Sequence, residues 1–401
     1  MKKLFFFIAL FAAVSSVQAQ QALFGASKVV SPEINSDKTV TFRLVAPKAV
    51  TVEVKGEFMP TETRMVNGRT MEVETYGQMK EGKDGVWEYT TPKPVAPEMY
   101  TYSFIVDGRT TNDPSNVYLK RDMATLTNIL YVDGDPRIDL YKVQAVPHGT
   151  VTKMWYPSAC QGFDRRLTVY TPAGYETSKK KYPVFYLLHG AGGDEESWCT
   201  QGRAIQIMDN LIASGKAEPM IVVITNGNIT QEAAPGFGSD NAMPGTGLTR
   251  VTGVWETNFT EVVNFIDKNF RTIPKKQSRA IAGLSMGGFH SLHISKYYPD
   301  MFNYVGLFSA AITMGANGVS NGPDVPIYRD FEGTLKNFFS KKPALYYIAI
   351  GKTDFLYNAN KDFRALLDKE GYPYEYLETD GGHIWKNWRI YLTEFAPKLF
   401  K

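Results

Sequence analysis

Arg279-Ala280-Ile281-Ala282-Gly283-Leu284-Ser285-Met286-Gly287-Gly288-Phe289 is the stretch that decides the fold. It opens as a short apolar run, the pattern of a strand buried on both faces. Beyond Met286 the apolar positions Phe289 and Leu292 take up helical spacing, and the pattern runs on to Tyr298. Between strand and helix stands Gly283-x-Ser285-x-Gly287. A chain that reverses from strand to helix so tightly needs the flanking glycines, because a Cβ there would collide with the neighbouring strand and helix. The serine hydroxyl is thereby left exposed at the tip, where the helix N-terminus favours negative charge. The pentapeptide alone recurs by chance in unrelated chains; its place between a strand and a helix makes it specific.

Working outward, residues 151–401 alternate in the same manner. Apolar runs at 167–170, 184–188, 220–224, 280–284, 304–308, 345–350 and 374–377 are bounded by Gly, Asn and Pro. Between them Phe259, Val262, Val263, Ile266 and Phe270 keep helical spacing, as do Phe363, Leu366 and Leu367. This alternation predicts a parallel sheet with helices on both faces. Ligands then bind beyond the carboxyl ends of the strands, so reactive residues are expected just after apolar runs.

Ser285 needs a base, because an alcohol is a poor nucleophile at neutral pH. His383 stands in Gly381-Gly382-His383-Ile384-Trp385, after the final run. His290 and His293 fall on the helix after Ser285 and read as packing or surface residues, while His148 lies in a connecting segment and His189 ends a strand in a structural role. An acid must orient the imidazole. Asp354 follows the run 345–350 and falls between Ser285 and His383 in the chain, the order this topology expects. Asp380, three residues before His383, is the rival; Asp362 and Asp368 read as solvent-facing helix positions. Two backbone amides are needed for an oxyanion, and Met286 and Ala191 are the candidates, the latter in His189-Gly190-Ala191-Gly192-Gly193. That glycine-rich loop lacks the Lys-Ser/Thr ending of a phosphate cradle. No histidine pair has metal-ligand spacing with a third ligand nearby, so neither metal nor cofactor is expected.

Residues from about 28 to 133 are rich in β pattern. Thr39-Val40-Thr41-Phe42-Arg43-Leu44 alternates, and Tyr100, Tyr102 and Phe104 share a face. Pro, Gly and Asn breaks separate such runs, which predicts an all-β, immunoglobulin-like sandwich. Residues 135–150, with Asp135-Pro136 and Pro147-His148-Gly149, read as a linker. The expected organisation is residues 1–19 as signal, 20–134 as sandwich, 135–150 as linker and 151–401 as catalytic domain.

The start supports export. Met1-Lys2-Lys3 precedes a short apolar stretch and then Val17-Gln18-Ala19, the pattern of a cleaved secretory signal, too short for a membrane span. A periplasmic or extracellular protein without a membrane segment after cleavage is expected. The net charge of +3 with scattered basic residues argues against nucleic acid and gives no membrane-surface signature. Cys160 and Cys199 are the only cysteines; export permits a bridge, and two free thiols are the alternative.

Two resemblances follow from these residues. Ser31-Pro32, Phe42-Arg43-Leu44-Val45-Ala46-Pro47, Gly85-Val86-Trp87-Glu88 and Val106-Asp107-Gly108 with Asp113-Pro114 resemble early-set modules of the isoamylase N-terminal, family 48 carbohydrate-binding type. Trp87 and the tyrosines nevertheless read as sandwich core rather than sugar platforms. From about residue 158 onward, Tyr182-Pro183-Val184 through His189-Gly190, Trp198, the run 219–223, Gly283 to Gly288, and Gly382-His383 with Trp385 and Trp388 resemble carbohydrate esterase family 1. The resemblance implies an α/β-hydrolase with a Ser285–Asp354–His383 triad, acting on acylated polysaccharide or oligosaccharide. Feruloyl ester hydrolysis on arabinoxylan-like material is the first expectation, and acetyl xylan esterase the alternative. A siderophore or small-ester hydrolase and a non-catalytic glycan-binding protein are further readings. The long segment 226–255 is expected to shape the pocket, with Met243, Trp255, Ile384 and Trp385 as its lining, though Trp385 and Trp388 read equally as helix packing.

Overall fold

The computed structural model describes residues 29–66, 69–122, 125–239, 252–312 and 325–401. The expected signal segment and Met243 lie outside the described residues. The chain divides into two units: residues 1–120 with 126–134, and residues 121–125 with 135–401.

The first unit is built of β-strands. One sheet joins Glu33–Ile34, Val40–Val45, Val86–Thr90 and Lys80–Glu81. A second is centred on Glu98–Val106, which pairs antiparallel with Thr125–Val132 on one side and Val52–Gly56 on the other. Alternate residues of these strands, Val40, Phe42 and Leu44 with Val52, Val54, Tyr102 and Phe104, meet in one core. Phe42 and Tyr102 stand edge to face at 4.9 Å. Trp87 is buried in this core and donates its indole N–H to the Ala46 carbonyl, as its core reading requires. Buried Asp113 accepts from the hydroxyls of Ser31 (2.6 Å) and Tyr102 (2.8 Å), which gives the Asp113-Pro114 and Ser31-Pro32 signatures a structural role.

The second unit holds an eight-stranded sheet. Its strands are β1 Thr150–Ser158, β2 Phe163–Thr171, β3 Val184–Leu188, β4 Ile221–Thr225, β5 Arg279–Leu284, β6 Tyr304–Phe308, β7 Leu345–Gly351 and β8 Glu375–Thr379. The principal helices are α1 Pro136–Tyr141, α2 Ala204–Ala213, α3 Thr260–Asn269, α4 Met286–Tyr297, α5 Phe331–Ser340, α6 Tyr357–Glu370 and α7 Trp385–Phe395. Strand order is β1-β2-β4-β3-β5-β6-β7-β8. From β3 onward neighbouring strands run parallel.

Alternation along each strand serves two layers. Tyr186 and Ile281 face a core that includes Phe259 just before α3, Val262 of α3, Leu292 of α4, Phe338 of α5 and Phe363 of α6. The residues between them face the other way, where Phe185, Phe308 and Tyr347 surround Phe395 of α7 at 5.5–5.6 Å. Burial on both faces explains why these strands read as continuous apolar runs.

Two expectations need correction. The sheet is mixed: β1 pairs antiparallel with β2, and β2 antiparallel with β4. A tight connection at 159–162, with Gly162 at φ +79°, returns the chain as a hairpin, which leaves no room for a helical crossover. The segment 135–150 is not a linker but part of the second unit. Asp135 caps α1 by accepting from Arg137 N–H, Pro136 sits in the first turn, and Ile138 and Tyr141 are buried. Asn210 of α2 donates to the carbonyls of Asp139, Leu140 and Lys142, and Asp209 accepts the Gly149 N–H at 2.8 Å.

The order of β4, β3 and β5 positions the site. The chain goes from β3 to one side, then crosses over to β5 on the other. That switch opens a crevice beyond the carboxyl ends of β3 and β5.

Candidate active site

Ser285 occupies the turn from β5 into α4 with φ +53° and ψ −114°, a strained conformation for a non-glycine residue. The glycines explain how the turn closes. A Cβ on Gly283 would lie 2.4–2.9 Å from the backbone of Gly287, and one on Gly287 would lie 2.5 Å from the carbonyl oxygens of Leu188 and His189. The turn is also tied by hydrogen bonds: Ser285 N–H donates to Phe308 O at 2.9 Å, and Ala311 N–H donates to Ser285 O at 3.0 Å.

The loop after β3 lies against this turn. A Cβ on Gly190 would come 3.2 Å from that of Ser285. Ala191 is exposed within the loop, whose turn is closed by Gly193 N–H donating to Gly190 O. His189 holds the loop from beneath. Its Nε2 accepts the Gly227 N–H at 2.7 Å, so Nδ1 carries the proton and donates to Gly190 O at 2.7 Å. Burial holds this imidazole well down, to about 4. Asn228 donates to Gly193 O, and Glu195 accepts from Asn226 and from Ala234 N–H. The loops after β3 and β4 are therefore one hydrogen-bonded frame.

Asp354 and His383 lie side by side. His383 Nδ1 lies 2.9 and 3.1 Å from the two Asp354 carboxylate oxygens. Asp354 is buried, and its Oδ1 also accepts the Leu356 N–H. The two loops are clamped by Thr353 N–H donating to Gly381 O, and Asn387 donates to Gly382 O. Asp380, the rival acid, faces solvent and pairs with Lys352 at 2.9 Å. Trp388 stands edge-on to the imidazole at 4.9 Å and donates its N–H to Ser309 at the end of β6. Ser285, Ala191, Asp354 and His383 thus belong to loops or turns at the carboxyl ends of β3, β5, β7 and β8, and Met286 opens α4 directly after the β5 turn.

The expected pocket lining is partly corrected. Trp255 is 1% exposed and packs on Phe259 and His290, so it belongs to the core. Trp385 is buried between Trp198 and Trp388 and braces α7. Ile384 is exposed beside His383. Sequence reasoning passed over Phe355, an exposed ring 4.5 Å from that of His383. Its signal was an aromatic residue directly after the acid, in a loop where nothing in the periodicity requires one. Also missed was Glu256, fully buried, which accepts from Tyr328 and pairs with His290 Nδ1 at 2.9 Å. Burial alone would raise this carboxyl, but the charge and hydrogen bond of His290 outweigh it and hold it below its usual range. Glu256 so ties α4 to the segments that precede α3 and α5. Cys160 and Cys199 are both free thiols.

Two outcomes are expected. Gly287→Ala forces a Cβ onto the end of β3, and overpacking of this kind costs about 2 kcal/mol or more. A thermal melt should record a fall of at least about 5 °C. The second concerns acid. His189 and His293 are both buried and neutral, each held below the ordinary value of 6.5. The unfolded chain binds protons that the folded chain refuses, so stability is fully present above 6.5 and drains as pH falls toward 4. Each histidine adds at most about one proton to the difference between the two states, so each contributes a slope on the order of 1 kcal/mol per pH unit. His189→Gln keeps an acceptor for Gly227 and should remove roughly half of their combined slope in urea unfolding at stepped pH; an unaltered slope would exclude His189 as its source.

The Esterase family profile, described as Putative esterase, matches residues 158–342. An endo-1,4-beta-xylanase/feruloyl esterase of Xylanibacter ruminicola is 31% identical over 375 residues, covering 92% of this chain and 46% of that protein. The chain spans about half the length of the curated relatives it matches. Among solved structures, a ferulic acid esterase from Anaeromyces mucronatus shares the fold with a TM-score of 0.53 at 23% identity, over 65% of this chain and 93% of its own. The enterobactin esterase of Shigella flexneri shares the fold over 95% of this chain and 98% of its own, with a TM-score of 0.61 at 16% identity. The second unit has the α/β-hydrolase fold, and its residues 158–342 carry the match to the Esterase family profile.

Proposed function

We propose that this chain is an exported serine carboxylesterase that removes feruloyl groups from plant cell-wall polysaccharide such as arabinoxylan. Ester hydrolysis is supported by a strained serine turn after β5 and a carboxylate-held imidazole after β8, both beyond the carboxyl ends of the strands. The feruloyl assignment is supported by the Xylanibacter relative, whose name includes that activity and whose match runs through both units. Export is supported by the basic, apolar and small-residue pattern of residues 1–19.

In this reading Ser285 Oγ attacks the ester carbonyl carbon while His383 Nε2 takes its proton. Asp354 accepts the Nδ1 proton, which fixes the tautomer and stabilises the imidazolium. The carbonyl oxygen becomes an oxyanion held by the amides of Met286 and Ala191. Collapse breaks the bond to the sugar oxygen, which leaves with the proton from His383. Water, deprotonated by His383, then attacks the acyl-Ser285 ester, and ferulate and free Ser285 are released. Both amides belong to backbone fixed before substrate arrives, so little reorganisation is needed as charge develops.

Methyl ferulate tests the assignment. Ser285→Ala should abolish hydrolysis, and Asp354→Asn should lower kcat by about four orders of magnitude by stabilising the wrong tautomer. Unchanged turnover by Ser285→Ala would overturn the reading. Acetate release from acetylated xylan without ferulate release would move the assignment to acetyl xylan esterase.

A further inference from the structure

Phe355, whose ring lies against His383, and Ile384, the residue after it in the chain, are exposed at 64% and 40%. Most large apolar side chains described in the second unit are buried, so exposed ones beside the reacting base call for a physical reason. Phe237, another exposed ring, already carries the Arg166 guanidinium 3.9 Å over its face. Phe355 meets His383 at 4.5 Å and 48°. Its backbone is held: the Asp354 side chain accepts from Leu356 N–H, Asp354 O from Tyr357 N–H, and Leu356 O from Asn360 N–H. The ring is therefore presented on a rigid turn, which lowers the cost of ordering it on binding.

The chemistry of the triad decides which part of an ester this ring meets. The proton taken from Ser285 is delivered by His383 to the leaving oxygen, so that oxygen must come within about 3 Å of Nε2. Whatever the leaving oxygen carries then lies beside the imidazole, while the acyl group extends from the carbonyl carbon away from it. We infer that Phe355, with Ile384, forms a subsite for the sugar ring of the leaving alcohol, the C–H face of a pyranose or furanose lying on the phenyl face. An aromatic face carries partial negative charge and attracts the polarised C–H groups of a sugar, without the fixed hydrogen-bond pattern that would confine it to one sugar. This rests on the proposed action on acylated polysaccharide and specifies which side of the scissile bond the protein grips.

The test compares two esters of the same acid, methyl ferulate and a feruloylated arabinoxylan oligosaccharide, on wild type, Phe355→Ala, Phe355→Leu and Phe355→Trp. With Ala and Leu, KM for the oligosaccharide should rise about tenfold, the scale of one lost aromatic contact, with a much smaller change in kcat. The change on methyl ferulate should be several times smaller, and Trp should restore the oligosaccharide KM. Equal losses on both esters would overturn the subsite, because they would mean that the ring acts only through His383 or on the acyl group. A Leu variant equal to wild type would overturn it also, since leucine keeps apolar cover but lacks the flat face. Thermal melts establish that each variant is folded. If wild type releases acetate rather than ferulate, the feruloyl reading fails while the subsite is still tested, by comparing ethyl acetate with acetylated xylo-oligosaccharide.

Discussion

The close approach of Gly287 to the carbonyl end of β3 is the contact on which the second unit depends. It brings the first turn of α4 against Leu188 and His189 with no side chain between them. The reversal at Gly283 then has nowhere to place Ser285 except in a left-handed, strained conformation. Strain of this kind costs about 1–3 kcal/mol and persists only where surrounding structure over-determines it. Here two backbone hydrogen bonds to the end of β6 and the segment after it supply that over-determination.

Around the turn the protein has placed buried polar groups, each with a partner that fixes a loop. His189 is a neutral brace between the loops after β3 and β4. Glu195 lies 3.0 Å from the Arg166 guanidinium and gathers the Asn226 and Ala234 donors. Glu256, His290 and Tyr328 join the start of α4 to segments that follow the crossings of the sheet. Buried ion pairs bring little net stability, because desolvation offsets attraction. Their effect is geometric. They hold the loops after β3 and β4 and the start of α4 in fixed positions.

The two units use aromatic residues differently. In the first unit Phe42, Trp87, Tyr102 and Phe104 are consumed by the core, where two sheets must be filled from both sides. In the second unit Trp198, Trp385 and Trp388 form an edge-to-face chain that ends on His383. That chain supports one side of the imidazole, and Phe355 covers another.

Local pattern alone determined the strand–turn–helix at Ser285, the alternation of the second unit and the candidates Asp354 and His383. These follow from rules of short range: apolar runs, glycine beside a tight turn, and polar residues just past strand ends. The antiparallel start of the sheet and the helix at Pro136–Tyr141 were not legible, since strand direction and the docking of a six-residue helix depend on partners far along the chain. Chain order already favoured Asp354 over Asp380; only the fold shows one buried against Nδ1 and the other turned to solvent with Lys352. The burial of Trp255 and the exposure of Phe355 needed the fold as well, because periodicity reports that a side chain is aromatic and not whether the fold will cover it. Motif and order lie within reach of sequence because they are local, whereas burial is a property of everything packed around a residue.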